Sequence, residues 1–407
     1  MVRDPATANL AAFAARLPNG LRPLTRLSYF LDAQLFGMEA GGFLATNLAL
    51  HLTTVLLVFA LARRRLDAAG AFCAALFFSL QPASAEVVAY VSGRSTGLMT
   101  PLLLVGLLLH DRGRRLGAFA CFGLASLAKE VALVFPALLC VWEITRRVPH
   151  AGTSRVAMGA GLLAAGLGVL LLGLGNYRAM LSFSAELRSP LENLLANGRA
   201  IPLMLSLWVR PWALSPDHAF AETGHAGASV AGWLALALLA SAAFAARRRH
   251  LLLTLAIGWP LIALLPTNSI VPKLDFVTEK PLYLAWIGPA IALGAGARAL
   301  WAPGVGARAR GWIGAGAAAL LCAGLAGCLW RASLWRDPAA LWLDATAKAP
   351  NKSRCWNNLG TAQLVAGRDG EAFSAFERAL RLDPANEYAR SNLQLARLLC
   401  GSACDSR

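Results

Sequence analysis

Apolar residues along this chain gather into long blocks separated by short polar or basic stretches. The blocks lie near 42–62, 66–82, 96–110, 116–128, 131–146, 155–174, 229–246, 251–266, 281–297 and 311–330. A helix crosses the hydrocarbon core with about 20 apolar residues, and with somewhat fewer when it is packed in a bundle. The pattern therefore predicts an all-α, polytopic membrane bundle of about ten spans. The blocks at 96–110, 116–128 and 131–146 are the shortest. The segment "RAIPLMLSLWVRPWA" at 199–213 is apolar but carries Arg210, Pro211 and two tryptophans. It predicts a re-entrant or interfacial helix.

Composition agrees with the pattern. Of 407 residues, 57% are hydrophobic and only 15% charged, and the mean hydropathy is +0.54. Soluble domains carry about 25% charged residues. The net charge of +16 could signal a nucleic-acid partner, but the basic residues sit at the ends of apolar blocks, which argues against one. They cluster as "RRR" at 63–65, "DRGRR" at 111–115, "RR" at 146–147, "RRRH" at 247–250, and Arg298, Arg308 and Arg310. Cytoplasmic loops collect such clusters. With each placed inside, residues 1–41 and the loops 83–95, 175–228 and 267–280 fall outside, as does everything after Trp330. Three domains follow: an outer loop with an amphipathic helix over 1–41, a transmembrane bundle over 42–330, and an outer domain over 331–407. The first residues, "MVRDPATANLAAFAARLPNG", contain neither a signal peptide nor a span. Cys73, Cys121, Cys140, Cys322 and Cys328 fall in apolar blocks as small core residues. Cys355, Cys400 and Cys404 fall in the polar tail, where a disulfide is possible outside the cytoplasm.

The tail stretch "CWNNLGTAQLVAGRDGEAFSAFERALRLDP" has the spacing of a tetratricopeptide repeat. Trp356, Leu359, Gly360, Ala372, Phe376, Ala379 and Pro384 occupy the signature positions. "LWLDATAKAP" before it and "YARSNLQLARLL" after it resemble flanking half-repeats. So short an array is expected to lean on the membrane domain, and its role is either a protein or peptide partner's recognition or a structural cap.

Ionisable groups at membrane depth are costly and mark functional sites. Asn47 and His51 share one helical face. Glu86 and Arg94 flank Tyr90 in "AEVVAYVSGRSTG". Lys129 and Glu130 separate two apolar blocks in "SLAKEVAL". Glu279 and Lys280 stand before Tyr283 in "DFVTEKPLYLAW", and Arg22 and Arg26 lie on an amphipathic stretch. All of these ionisable pairs map to the outer face. Salt bridges or snorkelling would explain any one pair; four cationic sites converging on one face fit capture of a phosphate better. No GxxxxGK[ST], GxSxG or HExxH motif is present, and the spacing of His218 and His225 is not a metal signature.

In order along the chain, "RPLTRLSYFLDAQLFG…FLATNLALHL", "ALFFSLQPASAEVVAYVSGRSTGLM", "LASLAKEVALVFPALLCVWE", "TEKPLYLAWIG" and "LWRDPAALWLDATAKAP" resemble membrane glycosyltransferases of GT-C fold. The resemblance is to those that carry C-terminal tetratricopeptide repeats: the transmembrane-and-TPR protein O-mannosyltransferases and their bacterial relatives. It implies an inverting transfer of a sugar from a polyprenyl-phosphate donor to a protein or glycan acceptor. It further implies a multi-pass protein of the bacterial inner membrane with its repeats in the periplasm. By matching position, Arg22, Arg94, Lys129 and Lys280 would hold the donor phosphate. Glu86 and Glu130 would serve at the catalytic centre, with Glu279, Tyr283 and His51 in support. No metal or further cofactor is assigned. Gln81 and Ser84 stand where bacterial relatives carry two histidines. The general-base aspartate is expected upstream of Met1, so that the chain begins inside the first outer loop, and Asp4 is the nearest carboxylate to that motif. A chain without its base would act instead as a membrane-anchored scaffold presenting the repeat.

Overall fold

A computed structural model describes residues 9–11, 21–146, 153–173, 175–221, 225–247, 249–268, 271–298 and 305–400. Asp4 and Cys404 lie outside the described residues. The described elements are helices and helical turns, with no strand among the described residues.

Helix α1 (Pro23–Phe36) opens with proline at its first position, where a missing N–H costs nothing, and stops at Gly37, whose φ is 65°. Helix α2 (Ala40–Ala62) follows. Leu48, Leu52 and Leu56 form an exposed apolar row along it, suited to lipid. Helix α3 (Ala68–Ser79) is capped by Asp67, which accepts from the Gly70 amide at 2.9 Å. Its span bends by 57° because Pro82 cannot continue the ladder and forces Gln81 into an extended conformation. A turn at Pro82–Ser84 leads into α4 (Ala85–Ala89). This short helix stops at Ala89, since Tyr90 is already extended.

Helix α5 (Arg94–Asp111) packs on α2 and on α6 (Arg115–Ala128). Lys129 is extended and breaks the apolar block, so the stretch after it forms a 3-10 turn, Glu130–Val134, and the short α7 (Phe135–Ile144). Helices α8 (Thr153–Gly173) and α9 (Gly175–Leu187) meet at an 87° bend. Helix α10 (Pro190–Ser206) starts from a Ser189/Glu192 capping box. An outer loop over 175–228 with a re-entrant or interfacial helix at 199–213 is expected from the sequence; α9 and α10 fill much of that stretch, and α10 ends before the Pro211–Ala213 turn. Then come α11 (Ala226–Ala246), α12 (Leu251–Leu264), α13 (Lys280–Ala285), α14 (Ile287–Arg298) and the long α15 (Ala307–Arg336).

Against about ten expected spans, four helices among the described residues are long and apolar enough to cross a membrane, or up to six if each bent pair counts as one span. The blocks at 116–128 and 251–266 form shorter apolar helices. Those at 131–146 and 281–297 are each divided between two short helical pieces.

Close crossings use small residues, as interfaces in lipid do. A Cβ on Gly232 of α11 would lie 1.8 Å from the Gly198 carbonyl oxygen of α10. The core runs through α3, α5, α12 and α14, with Phe43, Phe78, Phe122, Phe135, Trp142 and Trp259 sealed inside. At the end of α5 remote from Arg94, Asp111 gathers Arg64, Arg65 and Arg146, and His110 meets Glu143 at 2.9 Å.

The expected domain boundary at 330/331 falls inside α15, which runs unbroken to Arg336. Four helices follow: α16 (Pro338–Lys348), α17 (Ser353–Val365), α18 (Asp369–Leu382) and α19 (Glu387–Cys400). Leu359, Gly360, Ala372, Phe376 and Ala379 form the α17–α18 contact, and a Cβ at Gly360 would strike the Phe376 ring at 2.7 Å. Trp356 bonds back to the Pro350 carbonyl at 2.8 Å, while Pro384 is exposed. Cys355 is a free thiol sealed among Ala345 and Ala349, so it joins no disulfide.

Candidate functional site

Helix α1 ties down one end of the bundle. Thr25 bonds to the Ala128 carbonyl at 2.9 Å, and Tyr29 to the Val91 carbonyl at 2.8 Å. Arg22, at the head of α1, grips Glu130 with two hydrogen bonds of 2.9 and 2.5 Å. Its φ of 55° is left-handed, a conformation a bulky side chain adopts only when its surroundings insist. Burial pushes the Glu130 carboxyl up, and the Arg22 guanidinium more than reverses it, leaving Glu130 below the usual carboxylate range.

Arg94 sits beneath α1 with no solvent exposure. Its guanidinium donates to Asn47 at 2.5 Å, Asp32 at 2.6 Å, the Phe43 carbonyl at 2.7 Å and Ser28 at 3.3 Å. Every guanidinium nitrogen is engaged. Arg94, expected from the resemblance to hold the donor phosphate, is instead an internal strut. Asn47 completes the strut by donating to the Tyr90 carbonyl at 3.1 Å. Asp32, its counter-charge, escaped the sequence reading because "SYFLDAQLF" presents it as one polar residue on an amphipathic helix.

A second set of charged groups, buried or half-buried, lies beside this strut. Lys280 Nζ is 3.4 Å from Glu86 Oε1 and 4.7 Å from the centre of the Tyr90 ring. Tyr90 in turn stacks on Trp335 of α15 at 5.5 Å. Lys129 donates to Thr96 at 2.8 Å and lies within electrostatic reach of Arg22, Glu130, Lys280 and Glu86. Lys273 belongs to the same field: burial first, then the charge of Lys129, push its amine down to about 7 despite Asp275. Thus Arg22, Lys129, Lys273, Lys280, Glu86 and Glu130 form one electrostatically coupled group. Lys273 was not among the expected residues, although "IVPKLDF" placed it in an outer loop. His51 and Tyr283 meet at 2.8 Å deeper in the bundle, against Phe78, and support the core beneath the site.

Glu279 is buried without exposure and fully engaged. Oε1 accepts from the Ser215 amide at 2.6 Å and faces His218 Nε2 at 3.2 Å; Oε2 faces Arg331 at 3.2 Å. Arg331, in α15, also reaches the Leu214 carbonyl at 3.2 Å. The tail locks onto the same loop. Lys348 donates to the Leu214 carbonyl at 2.7 Å, Arg354 bridges Asp217 at 2.5 Å and Asp275 at 2.6 Å, and Lys352 pairs with Asp217. The expected leaning of the tail on the membrane domain takes this form. Between them lies a cleft of about 600 Å³ that includes His218, Phe220, Asp275, Lys352, Arg354 and Asp383 in its walls.

A second, apolar groove of about 850 Å³ runs along the bundle, walled by Phe77, Pro82, Trp208, Trp212, Trp286 and Leu320 among others. Two of its wall residues, Pro82 and Trp286, lie in segments that also carry Glu86 and Lys280, which pair with each other. Among the described residues, no group of three or more His, Cys, Asp or Glu side chains could hold a metal ion.

No family model and no solved structure matches the chain. It is similar to a protein O-mannosyl-transferase of Caenorhabditis elegans, 27% identical over 133 residues, or 31% of this chain and 19% of the relative. The chain thus matches about a fifth of the length of the curated relative. The similarity supports a distant relationship to glycosyltransferases, and the apolar helices agree with a membrane protein.

Proposed function

We propose that the chain is an integral membrane glycosyltransferase that moves a sugar from a polyprenyl-phosphate donor to a hydroxyl of a protein or glycan acceptor. The observation that carries this reading is the junction of two features. An apolar groove of about 850 Å³ lies in the bundle, and the segments that bring Pro82 and Trp286 to its wall also carry the paired Glu86 and Lys280. Lys280, Lys129, Lys273 and Arg22 would receive the phosphate and stabilise the charge that develops as it leaves. Glu86 would hold Lys280 and face the acceptor. In this reading the site lies on the periplasmic face of a bacterial inner membrane, the bundle is GT-C-like, and α16–α19 are tetratricopeptide repeats docked over the site.

The test is transfer by the purified protein in lipid nanodiscs, from a radiolabelled polyprenyl-phosphate mannose to a threonine-rich peptide. Lys280→Ala should reduce turnover at least about 100-fold, the loss typical of one transition-state donor, without lowering the melting temperature. Turnover that persists at the wild-type rate in Lys280→Ala refutes the site. A wild-type protein that transfers nothing, yet retains a peptide through its tail, favours a membrane-anchored scaffold.

A further inference from the structure

We infer that His218 and Glu279 form a proton-accepting dyad and that the cleft between the outer loops and the helical tail is the acceptor site, binding a hydroxyl-bearing peptide segment. The inference rests on the glycosyltransferase reading but not on the residues assigned above to the phosphate.

A carboxylate can only accept hydrogen bonds. Glu279 receives the Ser215 amide and Arg331, as an ionised group does, so the His218 nitrogen 3.2 Å away, Nε2, carries the proton it shares with Glu279. That fixes the tautomer and leaves the lone pair on Nδ1. Nδ1 has no hydrogen-bond partner among the described residues and is not sealed from solvent. His218 itself is part of the wall of the 600 Å³ cleft. An imidazole oriented by a buried carboxylate, its free nitrogen open to a cleft, is the arrangement of a general base. Glu279 is in turn fixed by Arg331, which has no solvent exposure, so the dyad is rigidly mounted. It is also adjacent in the chain to Lys280, and its charge is felt at Glu86.

The step balances. The acceptor hydroxyl gives its proton to Nδ1 while its oxygen forms a bond to the anomeric carbon. The bond from that carbon to the phosphate oxygen breaks, and the phosphate departs with the electron pair. The imidazolium formed shares its charge with Glu279. The cleft has the mixed walls a peptide needs: the Phe220 and Phe276 rings, 4.9 Å apart, stand near Asp275, Asp383 and the backbone around Pro350.

The experiment uses the full chain in nanodiscs, polyprenyl-phosphate mannose and a peptide of alternating threonine and alanine. In His218→Gln the amide nitrogen can still donate to Glu279, but no basic lone pair remains. Turnover should fall at least about 100-fold with KM little changed, and free imidazole should restore part of the activity lost in His218→Gly. Separately, diethyl pyrocarbonate should label His218 in the wild-type protein, and the peptide should shield it. His218→Gln at wild-type turnover alongside an inactive Lys280→Ala overturns the dyad and leaves the transferase reading standing. Loss without imidazole rescue overturns it in favour of a purely structural histidine. Labelling that the peptide does not shield overturns the acceptor site whether or not the protein turns over. No transfer by the wild-type protein overturns the base role together with the transferase reading, while shielding still reports peptide binding.

Discussion

Arg94 and Asp32 form an ion pair 2.6 Å long with the guanidinium wholly removed from solvent. It joins α1 to the first turn of α5, and through Asn47 to α2. Desolvating two charges nearly cancels their attraction, so the pair as a whole adds little stability. Removing one partner strands the other, at a cost of about 3–5 kcal/mol. Arg94→Ala and Asp32→Ala should each lower the melting temperature in detergent sharply, while Arg94→Met combined with Asp32→Leu should recover most of the loss. A melting temperature unchanged in Arg94→Ala contradicts the strut.

On the proposed function, Lys273 should make donor binding pH-dependent. Its amine is held down to about 7 by burial and by Lys129, whereas an unfolded lysine titrates near 10.4. Between those values the unfolded chain keeps a proton that the folded chain gives up. This group therefore makes stability rise with pH across that window, and its penalty is fully present below about 7. An anionic ligand reverses the sign, because it favours the charged amine. A polyprenyl phosphodiester keeps one negative charge throughout, so its binding should draw in a proton and weaken from roughly pH 6 to roughly pH 9. Calorimetry in two buffers of different ionisation heat measures the uptake. Lys273→Met should abolish the uptake and flatten the profile.

The apolar blocks were legible in the sequence because lipid demands unbroken runs, and α2, α5, α11 and α15 lie where those runs predict them. Breaks inside the blocks were harder to see. Pro82 gave a visible signal, but the interruption at Lys129 depends on an extended backbone that composition does not encode. The site divides in the same way. Lys129, Lys280, Glu86 and the Arg22–Glu130 pair lie close to one another in the fold. Arg94 does not join them, because its partner Asp32 lies 62 positions away and no local pattern links the two. Asp217, His218 and Arg331 acquire roles only through Glu279 and the docked tail. Such long-range contacts leave no periodic trace in a single chain.

The α10–α11 crossing should be intolerant of even a methyl group. A Cβ on Gly232 meets the Gly198 carbonyl at 1.8 Å, and backbone cannot move aside as a side chain can. The crossing also aligns Trp233 with the Leu194 carbonyl at 2.8 Å and Arg199 with Ser229 at 3.2 Å. Gly232→Ala should cost about 1–3 kcal/mol through forced separation, read as a lower unfolding midpoint in detergent. Gly227→Ala on the same helix, where nothing lies within 4 Å, is the control and should leave the midpoint unchanged.

The tail should be held to the bundle by a cooperative charge network rather than by independent ion pairs. Asp217 is almost fully buried, and burial pushes its carboxyl up. Its bonds to Arg354 and Lys352 more than reverse that and leave it below the usual range. Arg354 spans both Asp217 and Asp275, so neutralising either end disturbs the same guanidinium. Asp217→Asn and Arg354→Gln should therefore not add. The double variant should be less destabilised than the sum of the singles by about 1 kcal/mol, a coupling typical of groups in one network. Because the folded carboxyl titrates below its unfolded value of about 3.9, the network contributes fully above that pH and is lost as pH falls below it. Hydrogen exchange at residues 214–221 reads both effects, with faster exchange in each single variant and below about pH 4. Additive losses would mean that the ion pairs act independently.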